Sequence, residues 1–304
     1  MIRFATCLIV LLCWIAPARA AEASFEEAMA LFTEGNYAEA RILAEDFAKK
    51  NDSRAFIMLG TMSQKGFGVD VDALTAKLWF TKAAQAGNVE GQLALGQLLL
   101  DGSLGKPNLS EGIDWLEKAA AQGNVQAEYN VGLFYAGVYE NNAEWPKAYA
   151  HFKTAAEKGL AEAQYNLALL YTDGRGVEKD AVMAATWFGK AAAQGMPDAA
   201  LEYGVLIFRG EGVQKDEALG AKWLLIAANH GNAVAQNRVA RLYAAGIGVA
   251  QDAVEAAKWN ILAKAAGRAD AELDDAQAKL DPSIIKQAEA RAAAFKPLAL
   301  PAKN

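Results

Sequence analysis

Histidine, cysteine and serine build most catalytic and metal sites, and this 304-residue chain offers few of them at useful spacings. Its two histidines, His151 and His230, lie far apart in the chain, and neither has a second metal-ligating residue three or four positions away. A zinc site needs three or four converging ligands. No Gly-x-Ser-x-Gly nucleophile elbow occurs, and we expect no Ser-x-x-Lys nucleophile. We therefore predict no catalytic residue, no metal site and no bound cofactor.

The first twenty residues have the pattern of a secretory signal peptide. Arg3 precedes an apolar run over residues 4–15, and Ala18-Arg19-Ala20 supplies the small residues of a cleavage site. We place cleavage after Ala20 and predict export, with the periplasm as the favoured destination and secretion as the alternative. Cys7 and Cys13 would leave with this segment, so the mature chain would hold no thiol for disulfides, catalysis or metal binding.

The charge balance excludes two classes of partner. The formal net charge is −6, and removal of Arg3 and Arg19 makes it −8. An acidic chain lacks the basic surface that attracts nucleic acid or anionic membranes. We expect neither as a partner, and we predict no membrane insertion after cleavage.

Tryptophan and glycine recur in this chain with a period of 36 residues, which is typical of a repeat protein. The tryptophans on this lattice are Trp79, Trp115, Trp187, Trp223 and Trp259, and the glycines are Gly87, Gly123, Gly159, Gly195, Gly231 and Gly267. His151 stands at the lattice point that lacks tryptophan, where we expect it to be a smaller packing residue. We expect the tryptophans to be buried wedges between repeats, because each lies on an apolar stripe.

Each period contains the signals of two helices. The first helix ends at a Gly-x-Gly-Val loop, as in Gly174–Val177, because glycine accepts the positive φ of a helix C-terminus. Aspartates such as Asp180 stand where the second helix begins, and asparagines such as Asn124 stand where the next unit begins. Both residue types can cap free backbone N–H groups. Small residues inside the helices, such as Gly132, predict close helix packing.

These motifs together resemble the Sel-one-like repeat family, which is related to the tetratricopeptide repeat. The resemblance covers six units over residues 55–270, and residues 21–54 resemble a tetratricopeptide hairpin that would cap the N-terminus. We expect C-terminal capping helices over residues 271–295 and a flexible tail over 296–304. The resemblance implies an all-α fold, a right-handed superhelical solenoid of 36-residue helix-turn-helix repeats.

The resemblance also implies a function, namely binding of another protein. Secreted bacterial members include periplasmic inhibitors of sensor kinases, parts of polysaccharide-export assemblies and virulence factors that bind host proteins. We predict a non-enzymatic, exported scaffold or adaptor. Its favoured role is a bacterial periplasmic regulator, for example of a sensor kinase controlling exopolysaccharide, or an envelope-assembly factor. The partner would then be a membrane sensor or an export-complex subunit.

Two alternatives stay open at this point. The first is a secreted factor that binds a host protein. The second is a cell-wall-directed or β-lactam-directed binding protein or hydrolase. Family members described in that role are rich in cysteine and carry a disulfide in each repeat, whereas this chain would hold no cysteine after cleavage, which argues against the second alternative.

One candidate binding surface is the loop of the third unit, residues 137–146, which departs from the Gly-x-Gly-Val pattern. It introduces Tyr139 and Trp145, and Tyr149 and His151 follow on the next helix. Aromatic residues on a reshaped loop are typical of interaction hot spots. The alternative is that Trp145 folds back and fills the space left by His151.

The other candidate surface is the inward face of the first helices. The fourth and seventh lattice positions there are Asn130 and Leu133, Asn166 and Leu169, Glu202 and Val205, and Arg238 and Arg241. Such a ladder could hold an extended or helical peptide. The alternatives are a solvated groove without a ligand, or residues buried between helices.

Overall fold

The computed structural model describes residues 24–299, so the predicted signal peptide, its cleavage after Ala20, both cysteines and the tail beyond residue 299 lie outside the described residues. Within them the chain forms sixteen α-helices and no strand, which confirms the all-α prediction. The helices are α1 (Phe25–Thr33), α2 (Tyr37–Lys49), α3 (Ser53–Lys65), α4 (Ala73–Gln85), α5 (Val89–Leu100), α6 (Leu109–Ala121), α7 (Val125–Tyr135), α8 (Trp145–Glu157), α9 (Ala161–Asp173), α10 (Ala181–Ala193), α11 (Pro197–Arg209), α12 (Glu217–Asn229), α13 (Ala233–Ala245), α14 (Ala253–Ala265), α15 (Ala271–Gln277) and α16 (Pro282–Ala293).

Residue contacts divide the chain into two compact units. Unit 1 ends at Trp79, inside α4, and unit 2 begins at Phe80. In unit 1, α1 packs on α2 and α2 packs on α3. In unit 2, each helix from α5 to α14 packs on the next one along the chain, which is how repeat proteins bury their apolar faces.

The predicted helix caps are confirmed. The side chain of Asn124 accepts a hydrogen bond from the backbone N–H of Ala127 at 2.8 Å, and Asn88 and Asn232 cap α5 and α13 in the same way. Asp180 accepts from two backbone N–H groups at the start of α10. These caps satisfy donors that have no partner within the helix.

The two glycines of the Gly-x-Gly-Val loop have different physical roles. Gly174 ends α9 in the left-handed conformation, with φ of 73°, as the sequence predicts. Gly176 also has positive φ, but a Cβ atom there would overlap the backbone carbonyl of Trp145 at the start of α8. A Cβ atom on Gly212 would overlap the backbone carbonyl of Ala181 in the same way. The second glycine therefore lets each loop rest on the preceding repeat.

Paired glycines bring two helix pairs into backbone contact. A Cβ on Gly220 would lie 2.8 Å from the carbonyl oxygen of Gly204, where α12 crosses α11. Gly96 and Gly112 face each other in the same way between α5 and α6. Small residues thus allow close helix packing, as predicted.

The tryptophan lattice is only partly buried. Trp187 and Trp259 are buried, with 6% and 2% of their surface exposed, but Trp79, Trp115 and Trp223 are half-buried, so the prediction of five buried wedges is wrong for three of them. The deeply buried residues follow one position later: Phe80, Leu116, Phe152, Phe188 and Leu224. Successive side chains are about 100° apart around a helix, so this second series points into the core while the tryptophans lie on its flank.

Candidate functional site

The first-helix row consists of the fourth and seventh lattice positions of α7, α9, α11 and α13 in unit 2: Asn130, Leu133, Asn166, Leu169, Glu202, Val205, Arg238 and Arg241. Leu133, Asn166 and Leu169 are partly exposed, whereas Asn130 and Val205 are buried. Repetition of the lattice places these residues at corresponding points of successive first helices. The row therefore combines accessible apolar side chains with polar ones.

Two polar atoms of the first-helix row lack a partner. Asn130 Nδ2 and Arg238 Nε are buried and have no hydrogen-bond partner within the described residues. Most buried polar groups in proteins are hydrogen-bonded, and an unsatisfied one costs about 1–3 kcal/mol. Neither donor has an acceptor among residues 24–299.

The pKa of Glu202, in the middle of the row, is shifted by its surroundings. Burial raises the pKa of the Glu202 carboxyl, and the nearby positive charge of Arg238 opposes that rise. The amide of Asn166 donates to the hydroxyl of Tyr129 at 3.1 Å, so Tyr129 belongs beside the row although its spacing gave no sign of it.

Arg241, at the end of the row, is already engaged inside the protein. Its Nε donates to Asp270 at 2.8 Å, a second nitrogen donates to the same carboxylate at 2.9 Å, and a third donates to Glu272 at 2.8 Å. Burial alone would raise the pKa of Asp270, but hydrogen bonds from Asn237 and Arg241 outweigh it and lower that pKa below its usual value. Because Asp270 lies 29 residues beyond Arg241, sequence spacing could not reveal this pair.

In the third unit, the aromatic residues of the loop contact different partners. Tyr139 lies against Phe134, with ring centroids 6.3 Å apart, and it is 37% exposed. Trp145 is the first residue of α8, and the guanidinium of Arg175 lies 5.0 Å from its ring centroid. Trp145 therefore packs against the loop of the following repeat.

The two remaining predicted residues lie on α8 and make polar contacts. The hydroxyls of Tyr149 and Tyr171 are 3.0 Å apart. His151 Nδ1 lies 2.8 Å from the Glu128 carboxylate, and its ring stacks on that of Tyr135 with centroids 5.7 Å apart. His151 is thus a polar link between α7 and α8, and the interpretation of it as merely a smaller packing residue needs this correction.

Two Ser-x-x-Lys spacings and the placement of the acidic and histidine side chains bear on catalytic and metal chemistry in the described part of the chain. The Ser-x-x-Lys spacing does occur, contrary to our expectation, at Ser103–Lys106 and Ser283–Lys286. Both serines are exposed, and their backbone N–H groups donate to Asp101 and Asp281 in local turns. An exposed serine lacks the enclosed, base-supported setting of a nucleophile. No group of three or more His, Cys, Asp or Glu residues within 24–299 could hold a metal ion.

The C-terminal segment returns to α12. The backbone N–H of Leu298 donates to the carbonyl oxygen of Asn229 at 2.9 Å, and His230 Nδ1 lies 3.1 Å from the carbonyl oxygen of Leu298. Leu298, which belongs to the expected flexible tail, is thus in contact with the C-terminal end of α12. Over residues 24–299, no helix combines the length and apolar character required to cross a bilayer.

Comparison with known proteins identifies the repeats. Residues 53–88, 89–124, 125–160, 161–196, 197–232 and 233–267 match the Sel1 repeat. A protective antigen of uropathogenic Escherichia coli with an SLR fold is 27% identical, with a TM-score of 0.78. The match covers 90% of this chain and 61% of that protein, so the chain spans about three fifths of its length. A comparison with curated proteins gave no match.

A second solved structure matches over its whole length. It is a Sel1 repeat protein from Oxalobacter formigenes, with 31% identity and a TM-score of 0.71, and the match covers 80% of this chain and 100% of that one. Sel1 repeat proteins are protein-interaction scaffolds that bind protein partners. Since six repeats cover most of the chain, it belongs to the Sel1 repeat family.

Proposed function

We propose that this chain is an exported, non-enzymatic scaffold of the bacterial envelope, and that the first-helix row of unit 2 binds its protein partner. One observation carries the proposal: Asn130 Nδ2 and Arg238 Nε are buried on the row without a partner. Both atoms are covered by neighbouring groups of the protein, so a bound polypeptide would supply their missing acceptors after a local side-chain movement.

The chemistry of the row favours a polypeptide. Backbone carbonyls and carboxylates accept hydrogen bonds from amide and guanidinium groups. Leu133 and Leu169 add apolar surface between the polar positions, which suits a chain with alternating polar and apolar groups. Burial raises the pKa of Glu202, so this carboxyl in the middle of the row is already partly removed from water.

The finer assignment rests on the signal-peptide pattern of residues 1–20. With export to the periplasm, the protein would be a regulator that holds a membrane sensor, for example a sensor kinase controlling exopolysaccharide. Alternatively, it would be an assembly factor that holds an export-complex subunit. In both cases its role is to bind and position a partner without catalysing a reaction.

A second candidate is a secreted factor that binds a host protein. The likeness to a protective antigen of uropathogenic Escherichia coli favours it. The two candidates predict different locations, the periplasm and the medium, and share the same binding face.

Site-specific photo-crosslinking in the native envelope tests the proposal. A benzophenone amino acid is placed at Leu133 or Leu169 on the row, or at the exposed Lys222 on α12 as the control. We expect both row positions to capture the same protein, identified by mass spectrometry, and the control position not to capture it. Capture from Lys222 alone, or different proteins from the two row positions, would refute the assignment of this face.

A further inference from the structure

The last first-helix of unit 2 is shorter than its counterparts. Helix α15 has 7 residues, whereas α13 has 13. At the lattice positions where α13 carries Val239, Leu242 and Tyr243, the α15 segment carries Asp275, Ala278 and Lys279. The α15 segment therefore lacks the large apolar side chains that α13 carries at these positions.

A cavity of about 400 Å³ lies between the end of α13, α14 and α15. Its lining is dominated by small and apolar residues and includes three amide side chains but no charged group: Ala244, Gln251, Ala253, Ala256, Ala257, Asn260, Leu273, Ala276, Gln277 and Leu280. Small-molecule sites in proteins begin at about 300 Å³ and are apolar, with a few polar groups that fix orientation.

Asn260 is the polar group of interest in this lining. It occupies the lattice position at which earlier repeats bury Phe188 or Leu224, and only 1% of its surface is exposed. Its amide nitrogen donates to Asp274 and to Gln277, both at 3.0 Å. These acceptors fix the orientation of the carboxamide, because a reversed amide would bring its oxygen against a carboxylate.

The other half of the Asn260 carboxamide is unsatisfied. Its Oδ1 is buried and has no hydrogen-bond partner within the described residues. A regular repeat would carry an apolar residue here, so the chain has an acceptor where the fold requires none. The unpaired Oδ1 of this lining residue is a second observation, independent of the small residues that create the cavity.

We propose that this cavity binds a small, uncharged, phenol-bearing group, with the hydroxyl donating to the Asn260 carboxamide. The ligand has the size and chemistry of the side chain that α15 lacks, since three earlier first-helices carry tyrosine at the position of Lys279: Tyr135, Tyr171 and Tyr243. The uncharged lining disfavours ionised ligands, because a charge taken from water would find no counter-charge there. The inference stands independently of the partner-binding role of the first-helix row.

Titration of the full-length mature protein with p-cresol, followed by NMR, tests this site. The side-chain NH₂ signals of Asn260 are assigned by their absence in Asn260→Leu. We expect saturable shifts of these signals with p-cresol. With 4-methylanisole, which has the same shape but no hydroxyl proton, we expect binding at least about tenfold weaker, equivalent to about 1.4 kcal/mol. Absence of saturable binding, or equal affinity for both compounds, would overturn the proposal.

Two further variants localise the binding. Ala276→Leu narrows the mouth of the cavity from α15, and Ala278→Leu places the same side chain at an exposed position outside the lining. We expect p-cresol binding to weaken at least about tenfold in Ala276→Leu and to persist in Ala278→Leu; the tenfold loss corresponds to about 1.4 kcal/mol. If Ala276→Leu fails to fold, Asn260→Leu carries the same test, with the backbone N–H signals of α14 and α15 as the readout because its side-chain signals are gone. Unchanged affinity in the folded blocking variant would refute this location.

A second ligand distinguishes a tyrosine side chain of another polypeptide from a free phenolic molecule. N-acetyl-tyrosinamide presents the same ring attached to a peptide backbone. Binding at least as tight as that of p-cresol would support a tyrosine of another polypeptide as the occupant. Binding of p-cresol alone would support a free phenolic molecule.

Discussion

Substitution of Gly220 by alanine tests a close backbone contact between two helices of unit 2. In an isolated helix this change would stabilise the protein by about 1 kcal/mol, because alanine is a better helix former than glycine. Here the added Cβ would lie 2.8 Å from the carbonyl oxygen of Gly204 and 2.9 Å from the backbone nitrogen of Phe208. Both are backbone atoms of α11, so they cannot rotate away. The packing cost therefore competes directly with the gain in helix propensity.

The magnitude follows from the difference between these two effects. Forcing an extra methyl group into a packed interface costs about 1–3 kcal/mol, and contact with backbone favours the upper part of that range. Subtracting the propensity gain leaves a net loss of about 1–2 kcal/mol. Gly189 provides the matched control, because it also lies inside a helix but faces the ring of Tyr203 at 3.1 Å, which can shift. We expect Gly189→Ala to change stability by less than about 1 kcal/mol, in the stabilising direction.

Urea unfolding followed by circular dichroism measures both variants against the wild-type protein. The sign of the difference matters more than its size, since repeat proteins can depart from two-state unfolding. We expect a lower midpoint for Gly220→Ala and an equal or higher one for Gly189→Ala. A midpoint for Gly220→Ala at or above the wild-type value would show that α11 and α12 do not approach at this crossing.

Four other substitutions test burial and charge. Trp187→Ala should cost about 3–5 kcal/mol through the cavity it leaves. Trp115→Ala should cost less than half of that, because part of its side chain is exposed. Equal shifts of the urea midpoint would contradict the different burial. The lowered pKa of Asp270 implies that its ionised form stabilises the fold above the unfolded-state pKa and that this contribution is lost as pH falls through the folded-state pKa. Asp270→Asn should therefore lower stability at pH 7 and flatten the acid limb of a stability–pH profile, and an unchanged profile would contradict this. The raised pKa of Glu202 has the opposite sign, so Glu202→Gln should raise the thermal midpoint at pH 7 and lose that advantage below the ordinary glutamate pKa; equal midpoints at pH 7 would count against it.

The repeat length, the helix boundaries and the caps could be predicted from the sequence because their causes are local. Asn124 caps α7 through an N–H three residues away, and Gly174 ends α9 through its own φ. The depth of burial could not be predicted as well. A period of 36 fixes how repeats align, but a shift of one residue turns a side chain by about 100° around the helix. For that reason the lattice identified Trp115 as buried, whereas the core residue is Leu116.

The candidate binding residues were harder to predict because their partners are distant in sequence. Arg241 looked free on the first-helix row, but Asp270 and Glu272 occupy its guanidinium from the next repeat. His151 looked like a packing substitute, but Glu128 on the preceding helix holds it. Such pairs depend on stacking between repeats, and no pattern within one period contains them.

Two of the buried polar atoms without a partner lie where the repeat pattern changes, and they argue that these changes serve binding. Asn130 belongs to the unit that lost both its tryptophan and its regular loop. Asn260 replaces the phenylalanine or leucine of earlier repeats, beside a shortened helix. At the position of Asn260 a fold selected for stability alone would carry an apolar residue, as the earlier repeats do. The position of Asn130 is polar in the following repeats as well, where Asn166, Glu202 and Arg238 stand. The regular repeats therefore show which residue type packing favours at a given position, and Asn260 departs from the apolar residues found there.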